Sequence, residues 1–515
     1  MKTTLERNAA VKNGVKRMVF AGLALVLEIA GIILIFTRLN RHYELISLLT
    51  RVLGAFLVLG IYSEKKTSAL KMPWIILILV MPVFGVTLYF LIGLNGMTRK
   101  MRGRFLKIDR VLLPLLSEDP EAARELEKKD PAVFNLSRYI RNYSGYPVYR
   151  NTDITYFDDA AKGLQSQKEE LRKAEKFIFM EYHAIEDAES WHGIQDILEE
   201  KAEAGVDVRV FYDDMGSIGF INTDFVKRLE KKGIRCRVFN AFAPGLNIFL
   251  NNRDHRKITV IDGKVGFTGG YNLANEYFNL THPFGHWKDT GIRLKGDSVR
   301  SLSAIFLEMW YSVRQDDEDA GKFLLKTDYR SEENGFIQPY ADSPMDNEPV
   351  GENVYISIAE NAVRYVWYVT PYLILTDEMI HAFGLAAKRG VDVRIITPGI
   401  PDKKMVYNVT RSYYNALVSN GVRIFEYTPG FCHCKMCVAD DRVATNGTIN
   451  LDYRSLYHHF ENGCVYSSCR AVAETKEDFD ATLKQCREVT EQYRTGRNAV
   501  LRFGQLVLRL FAPLM

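Results

Sequence analysis

The chain carries little net charge for its size. Lys and Arg exceed Asp and Glu by only 4 across 515 residues, which excludes nucleic-acid binding through the bulk field of the protein and leaves any basic binding surface local. Cysteine is sparse and odd in number: seven residues, Cys236, Cys432, Cys434, Cys437, Cys464, Cys469 and Cys486. That distribution excludes a disulfide framework and fits free thiols in a reducing compartment. A small-residue cleavage site is also missing behind the first apolar run, residues 18–36, although Lys12, Lys16 and Arg17 precede it. The run therefore reads as a retained anchor and not a removable leader. With 47% hydrophobic and 25% charged residues, disorder is excluded and two or more domains with buried cores are expected.

What is abundant is apolar sequence near the N-terminus. Residues 18–36, 45–62 and 73–93 are each about the length of a bilayer-spanning helix, roughly 17 to 25 residues. Glu28 interrupts the first run and Arg51 lies inside the second, so the first and third are the better-supported spans. Residues 1–97 are read as a membrane anchor of two to three spans. Arg99, Lys100, Arg102, Arg104 and Lys107 follow at once and suit anionic headgroups or a cytoplasmic flank. Residues 98–150 read as a basic, helical linker, with a helix over 121–129 stopped by Asp130-Pro131. Basic flanks on both sides of the anchor demand an even number of crossings, so 45–62 is expected to be re-entrant or only partly inserted in a multi-pass membrane protein with a cytoplasmic catalytic region, three full crossings being the alternative. At the other end, residues 494–515 form an apolar, amphipathic segment in which Arg502 and Arg509 share one helical face.

Between these ends the sequence repeats itself. Gly205-Val-Asp-Val-Arg-Val210 returns as Gly390-Val-Asp-Val-Arg-Ile395, each after a helical stretch, and Gly233-Ile-Arg-Cys-Arg-Val-Phe239 is echoed by Gly421-Val-Arg-Ile-Phe425. Strand-like residues 176–185 and 364–375 precede the two copies. Helix, glycine turn and buried strand in that order predict an α/β fold of two duplicated lobes, 151–335 and 336–493, each a parallel or mixed sheet flanked by helices.

Each copy contains a His-x-Lys-x-x-x-x-Asp pattern: His255, Lys257 and Asp262, then His433, Lys435 and Asp440. Gly269 and Gly447 lie 14 residues beyond their histidines, and Asn272 and Asn450 lie 17 beyond. Residues at i and i+2 of a strand point to one face, so each His and Lys share a face. Neutral imidazole beside cationic donors is what a phosphodiester needs for attack or proton transfer and for its non-bridging oxygens. The aspartates, at an odd offset, are expected at hairpin turns in an orienting role. Asn272 and Asn450 are candidate phosphate donors, with the glycines allowing close backbone approach. Asp289 and Glu461 are candidate carboxylates for holding the histidine tautomers. The other histidines, His458 and His459 included, read as surface or packing residues. Asp213 and Asp214 read equally as a headgroup-lining pair or an acidic strand end. A metal site at Cys432, His433, Cys434 and Cys437 is set aside, because on a strand the cysteines face away from the histidine and cannot close a tetrahedron.

The duplicated motif resembles that of the phospholipase D superfamily, whose halves each give one His and one Lys to a single site. Similarity to bacterial cardiolipin synthases rests on Trp74, Pro82, Gly85 and Tyr89, on Tyr212-Asp-Asp-Met-Gly-Ser217, Gly269-Gly-Tyr-Asn272 and Thr370-Pro-Tyr372, and on Asn450-Leu-Asp-Tyr-Arg-Ser455 and Leu508-Arg-Leu-Phe-Ala-Pro-Leu514. That family usually shows two N-terminal spans, where three candidates are present here, and does not require the cysteines. The resemblance implies two phospholipase D-like lobes behind transmembrane helices. It also implies phosphatidyl transfer between two phosphatidylglycerols through a phosphohistidine, with His255 as nucleophile and His433 as acid, no cofactor or metal, and anionic membrane lipid as partner. A lipid hydrolase of the same superfamily is the alternative. Complete motifs in both halves argue against an inactive scaffold, and the modest charge argues against a nuclease.

Overall fold

The computed structural model describes residues 44–65, 67–93, 96–241, 251–316 and 318–494, with scattered positions between 19 and 34 and Arg509 and Ala512 near the end. The first apolar run and the C-terminal segment fall mostly outside these residues. Of the latter, the Arg509 guanidinium lies 4.4 Å over the Tyr413 ring and Ala512 is buried.

The duplication is visible strand for strand. The first sheet runs, edge to edge, Thr152–Phe157, Gly291–Gly296, Val265–Gly269, Lys257–Ile261, Phe177–Tyr182, Asp207–Asp213 and Arg235–Phe239. The second repeats this order as Phe336–Asp342, His459–Ser467, Val443–Gly447, Met436–Ala439, Tyr365–Val369, Asp392–Pro398 and Arg423–Tyr427, extended by Cys486–Glu488. Both sheets are mixed: the strands beginning at Phe177 and Asp207 pair in parallel, as do those at Tyr365 and Asp392, while the motif strands join antiparallel. Every residue of Phe177–Tyr182 is buried, because both faces are covered. Ile178, Met180 and Tyr182 pack with Trp191 and Leu198 of an outer helix, and Phe177 and Phe179 enter a core shared by both lobes.

That shared core is organised by the helix Val299–Val313, buried at every position from Val299 to Ser312. Residues 98–150 belong to the same core, which corrects the expectation of a linker. Phe105, Ile108 and Leu112 of the helix Gly96–Leu112 are buried in it, and Phe105 stacks on Phe460 at 4.8 Å. Removing such side chains from water stabilises by about 1.5 to 3 kcal/mol each. The expected short helix runs Pro120–Lys129, with Asp119 accepting from the Glu121 amide at 3.0 Å. Asp130 both stops it and caps the next helix, Pro131–Ser144, through the Val133 amide at 3.1 Å.

The apolar runs differ from expectation. The second run forms one unbroken helix, Glu44–Ser63, and the break falls in the third. There Ser68–Val80 ends at Met81, a new helix Pro82–Leu88 begins, and Gly85 lies so close to Ile78 that a Cβ would stand 2.7 Å from its Cα. The cause is Pro82, which drives the preceding residue out of the helical region: Met81 has φ −130° and ψ 71°. Trp74 and Tyr89 close across the turn with ring centres 5.4 Å apart. Among the described residues, no helix is long and apolar enough to cross a membrane.

Candidate active site

The two motifs meet because each lobe lends a short strand to the other. Arg253–Asp254 pairs in parallel with His459 and Phe460 of the second lobe, and the His255 amide donates to Phe460 O at 2.9 Å. In the mirrored arrangement Gly430–Cys432 pairs in parallel with His286–Lys288 of the first lobe, and the His433 amide donates to Lys288 O at 2.8 Å. The residue after each such strand is therefore a motif histidine, fixed against the other lobe just before that lobe's carboxylate. Asn446 and Asn462 tie the same seam, donating to Thr290 at 2.8 Å and Thr268 at 2.9 Å.

The carboxylates consequently cross over. Asp289 of the first lobe lies 2.7 Å from His433 Nδ1, and Glu461 of the second lies 2.9 Å from His255 Nδ1. With Nδ1 engaged, Nε2 of each ring is the nitrogen left for chemistry. Glu461 is held in turn by Ser455 Oγ at 2.7 Å and Thr448 Oγ1 at 2.5 Å. Asp289 accepts from the Thr290 amide at 3.0 Å, and Gly270 makes room for it: a Cβ there would lie 2.0 Å from Asp289 Oδ1. Lys257 Nζ donates to His255 O at 2.6 Å, while Lys435 Nζ stands 2.8 and 2.9 Å from the two ring nitrogens of His433.

Burial dominates the electrostatics. It pushes Lys257 down to about 7, against the pull of Glu461, and Lys435 down to about 8, against the pull of Asp289. Burial followed by Lys435 lowers His433 to about 3 despite Asp289, and burial with Lys257 and Lys435 holds His255 well below the usual imidazole range. The carboxylates therefore do not keep an imidazole charged in the substrate-free site. Two neutral imidazoles, two lysines and two carboxylates sum to no net charge. An arriving phosphodiester adds one negative charge and with it a reason to take up one proton.

The remaining motif residues divide. Asp262 accepts from the amides of Glu175, Lys176 and Phe177 at 2.7 to 2.9 Å, and Asp440 from those of Val363, Arg364 and Tyr365 at 2.7 to 2.9 Å. Both occupy hairpin turns, with φ of 53° and 55°. The five-residue strand Lys257–Ile261 separates Asp262 from its histidine, about 16 Å of extended chain at roughly 3.3 Å per residue. The aspartates orient strand starts and do not touch the histidines. Asn272 spends its amide within the protein, donating to Tyr277 OH at 2.8 Å and accepting from the Ala184 amide at 3.1 Å, whereas Asn450 Oδ1 is buried without a hydrogen-bond partner among the described residues. Gly269 and Gly447 do permit close approach, but to the adjacent strand: a Cβ would meet Thr290 O at 2.5 Å and Asn462 O at 2.4 Å.

A family model described as cardiolipin synthase, PLD-like domain, matches residues 168–310 and 355–483. The chain belongs to the cardiolipin synthase family of the phospholipase D superfamily. A cardiolipin synthase of Geobacillus kaustophilus is 31% identical over 504 residues, covering 96% of this chain and 99% of that one. One of Clostridium perfringens (strain SM101 / Type A) is 32% identical over 464 residues, covering 88% and 95%. A second family model, Phospholipase_D-nuclease N-terminal, matches residues 52–93. Among solved structures, phosphatidylserine synthase of Haemophilus influenzae Rd KW20 shares the fold, with a TM-score of 0.55 over 73% of this chain and 97% of that one at 15% identity. Membership of the cardiolipin synthase family makes the protein an enzyme of the phospholipase D type.

This cardiolipin synthase-family site holds residues that sequence reasoning passed over. His183 and His459 flank His255 with ring centres 5.0 and 5.4 Å away, so His459 packs beside a motif histidine and not on the open surface. Asp213, fully buried, grips Arg253 at 2.9 Å and the Asp254 amide at 3.0 Å, and so anchors the segment leading into His255. Trp287 and Tyr277 stand 5.2 and 5.3 Å from His433. Proximity of His459 and Trp287 to the carboxylates, each two residues before one, was the only signal available. Among the described residues, His255, His459 and Glu461 are spaced closely enough to hold a metal. The donor set fits one poorly, since both Glu461 oxygens already accept hydroxyl hydrogen bonds and two lysines stand alongside. Cys432, Cys434 and Cys437 are buried free thiols, and Cys434 Sγ contacts Lys288 O at 3.4 Å.

Proposed function

We propose that the enzyme transfers a phosphatidyl group from one phosphatidylglycerol to the hydroxyl of another, forming cardiolipin and releasing glycerol. The observation that carries this reading is the crossed pair of buried His–carboxylate contacts with a lysine beside each histidine. One Nε2 attacks phosphorus while the other imidazole, protonated as the anionic substrate arrives, gives its proton to the departing glycerol oxygen. The resulting phosphatidyl-histidine is attacked by the second lipid's hydroxyl, which returns a proton to the same imidazole. Lys257 and Lys435 stabilise the charge on the non-bridging oxygens. Through their own carboxylates the two histidines are equivalent, so their order of use depends on what flanks them.

The protein acts at the membrane, with its lobes on the cytoplasmic side. Lys12, Lys16 and Arg17 before the apolar region and Arg99 to Lys107 after it support this placement. Supplying phosphatidylglycerol and identifying the products tests the activity. Cardiolipin and glycerol are expected; phosphatidic acid as the sole lipid product refutes transfer in favour of hydrolysis through the same intermediate.

A further inference from the structure

The catalytic groups obey a pseudo-twofold relation, but their flanks do not. Arg454 stands four residues beyond Asn450, as Glu276 stands four beyond Asn272. His459 stands two before Glu461, as Trp287 stands two before Asp289. One flank is thus Arg454 with His459, and the other Glu276 with Trp287.

On the His255 flank, Arg454 Nε lies 3.2 Å from His459 Nε2, and the His459 ring is 5.4 Å from His255. Arg454 is half-buried. Three buried arginines hold carboxylates, Arg209 with Glu318 at 2.7 Å, Arg253 with Asp213 at 2.9 Å and Arg256 with Glu308 at 2.9 Å, and buried Arg300 instead spends its guanidinium on the Leu324 and Leu115 carbonyls at 2.8 Å. Arg454 has no carboxylate within salt-bridge distance among the described residues; burial lowers its pKa, and the charges that act on it are Asp452, Arg253 and Asp213. On the His433 flank the corresponding position is Glu276, whose carboxyl is pushed up to about 7 by burial and the neighbouring Glu186 and Asp402, and Asp402 accepts from the Tyr372 hydroxyl at 2.5 Å.

We propose that Arg454, supported by His459, receives the phosphate of the acceptor lipid, and is therefore the residue that favours an anionic lipid alcohol over water or glycerol. This rests on the transferase reading above. Phosphatidylglycerol as acceptor brings its own phosphate, a three-carbon bridge away from the attacking hydroxyl, and a desolvated guanidinium without a carboxylate is matched to it. A neutral acceptor has nothing to offer that cation, and the corresponding position on the other flank, Glu276, supplies no cation for a phosphate.

The placement also orders the histidines. The departing glycerol and the incoming hydroxyl occupy the same position, in line with the nucleophilic nitrogen and opposite to it. An acceptor phosphate at Arg454 brings that hydroxyl beside His255. His433 Nε2 then forms the P–N bond as the P–O bond to glycerol breaks, and His255 gives its proton to the glycerol oxygen. In the second half the acceptor hydroxyl loses its proton to His255, the new P–O bond forms and the P–N bond breaks. This reverses the order implied by resemblance.

The test uses the full-chain enzyme in phosphatidylglycerol vesicles, measuring cardiolipin formation alongside exchange of labelled glycerol into phosphatidylglycerol. Arg454→Gln is expected to lower the ratio of cardiolipin to exchange by about 10- to 100-fold. Exchange itself should fall by no more than about 3-fold, and Arg454→Lys should recover part of the ratio. An unchanged ratio, or equal loss of both activities, overturns the assignment. Mapping of the covalent adduct in the unmodified enzyme under alkaline conditions, where a P–N bond to histidine survives, needs no variant: label on His433 is expected, and label on His255 overturns the order. If the unmodified enzyme exchanges headgroups or makes phosphatidic acid but never cardiolipin, the transferase reading fails first and this proposal with it. If cardiolipin forms and the ratio is insensitive to Arg454, only this proposal fails.

Discussion

Replacing Asp289 with Asn removes one charge from the crossed pair while keeping shape and hydrogen-bonding capacity. In the substrate-free site His433 is neutral, lowered to about 3 chiefly by burial, so an amide oxygen can still accept from Nδ1 and the fold should lose little. The cost falls when positive charge develops on the ring, either on forming the P–N bond or on holding the transferred proton. Asp289 Oδ2 stands 2.7 Å from Nδ1 and its side chain is wholly buried. Two unit charges about 4 Å apart interact by about 4 kcal/mol at an effective dielectric near 20, and breaking one half of a buried pair costs about 3 to 5 kcal/mol. At about 1.4 kcal/mol per decade, kcat should fall by about 100- to 3,000-fold. KM should move little. Glycerol release from phosphatidylglycerol in mixed micelles reports kcat, and a thermal melt reports the fold. A loss below about 10-fold in a folded variant, or a rise in KM with kcat intact, would refute the argument that this carboxylate supports the charged imidazole.

Further outcomes follow from the same geometry. Asp262→Ala and Asp440→Ala each remove an acceptor of three backbone amides, and should lower stability by about 2 to 4 kcal/mol in urea melts while leaving kcat of the folded enzyme within about 3-fold. A catalytic collapse without destabilisation would return these residues to the site. Gly270→Ala puts a methyl 2.0 Å from Asp289 Oδ1; displacement of the carboxylate should reduce kcat by about 10- to 100-fold, whereas wild-type turnover would show that the carboxylate's placement is unimportant. The lysines carry their charge below their pKa values, about 7 for Lys257 and about 8 for Lys435, so kcat/KM should decline as pH rises through that range. The histidines are neutral well below it, so no acid limb is expected near neutrality, and a profile rising between about pH 6 and 8 would contradict the assignment. Activity should survive excess chelator; loss that zinc restores would revive the His255, His459 and Glu461 cluster as a metal site.

Much of this architecture is legible in the chain because it is written twice. Repeated strand sequences at Gly205 and Gly390, and motifs in register through Asn272 and Asn450, announce two copies of one α/β unit, and each strand of one sheet has its counterpart in the other. The helix before Asp130 was equally readable, since caps and proline act within a few residues. Asp289 and Glu461 could be named as partners for histidines, but which served which could not. His433 and Asp289 are 144 residues apart, and their meeting depends on parallel pairing of short strands exchanged between lobes. The helix Gly96–Leu112 looked like a linker because its many charges hide Phe105, Ile108 and Leu112, whose burial is decided by the sheet and helix they meet. Local sequence sets which residues share a strand face or cap a turn, for those forces act along a few residues of chain. Which lobe lends its carboxylate, what stands beside each histidine, and where the third apolar run turns are fixed by packing between distant segments, and that is a property of the folded molecule alone.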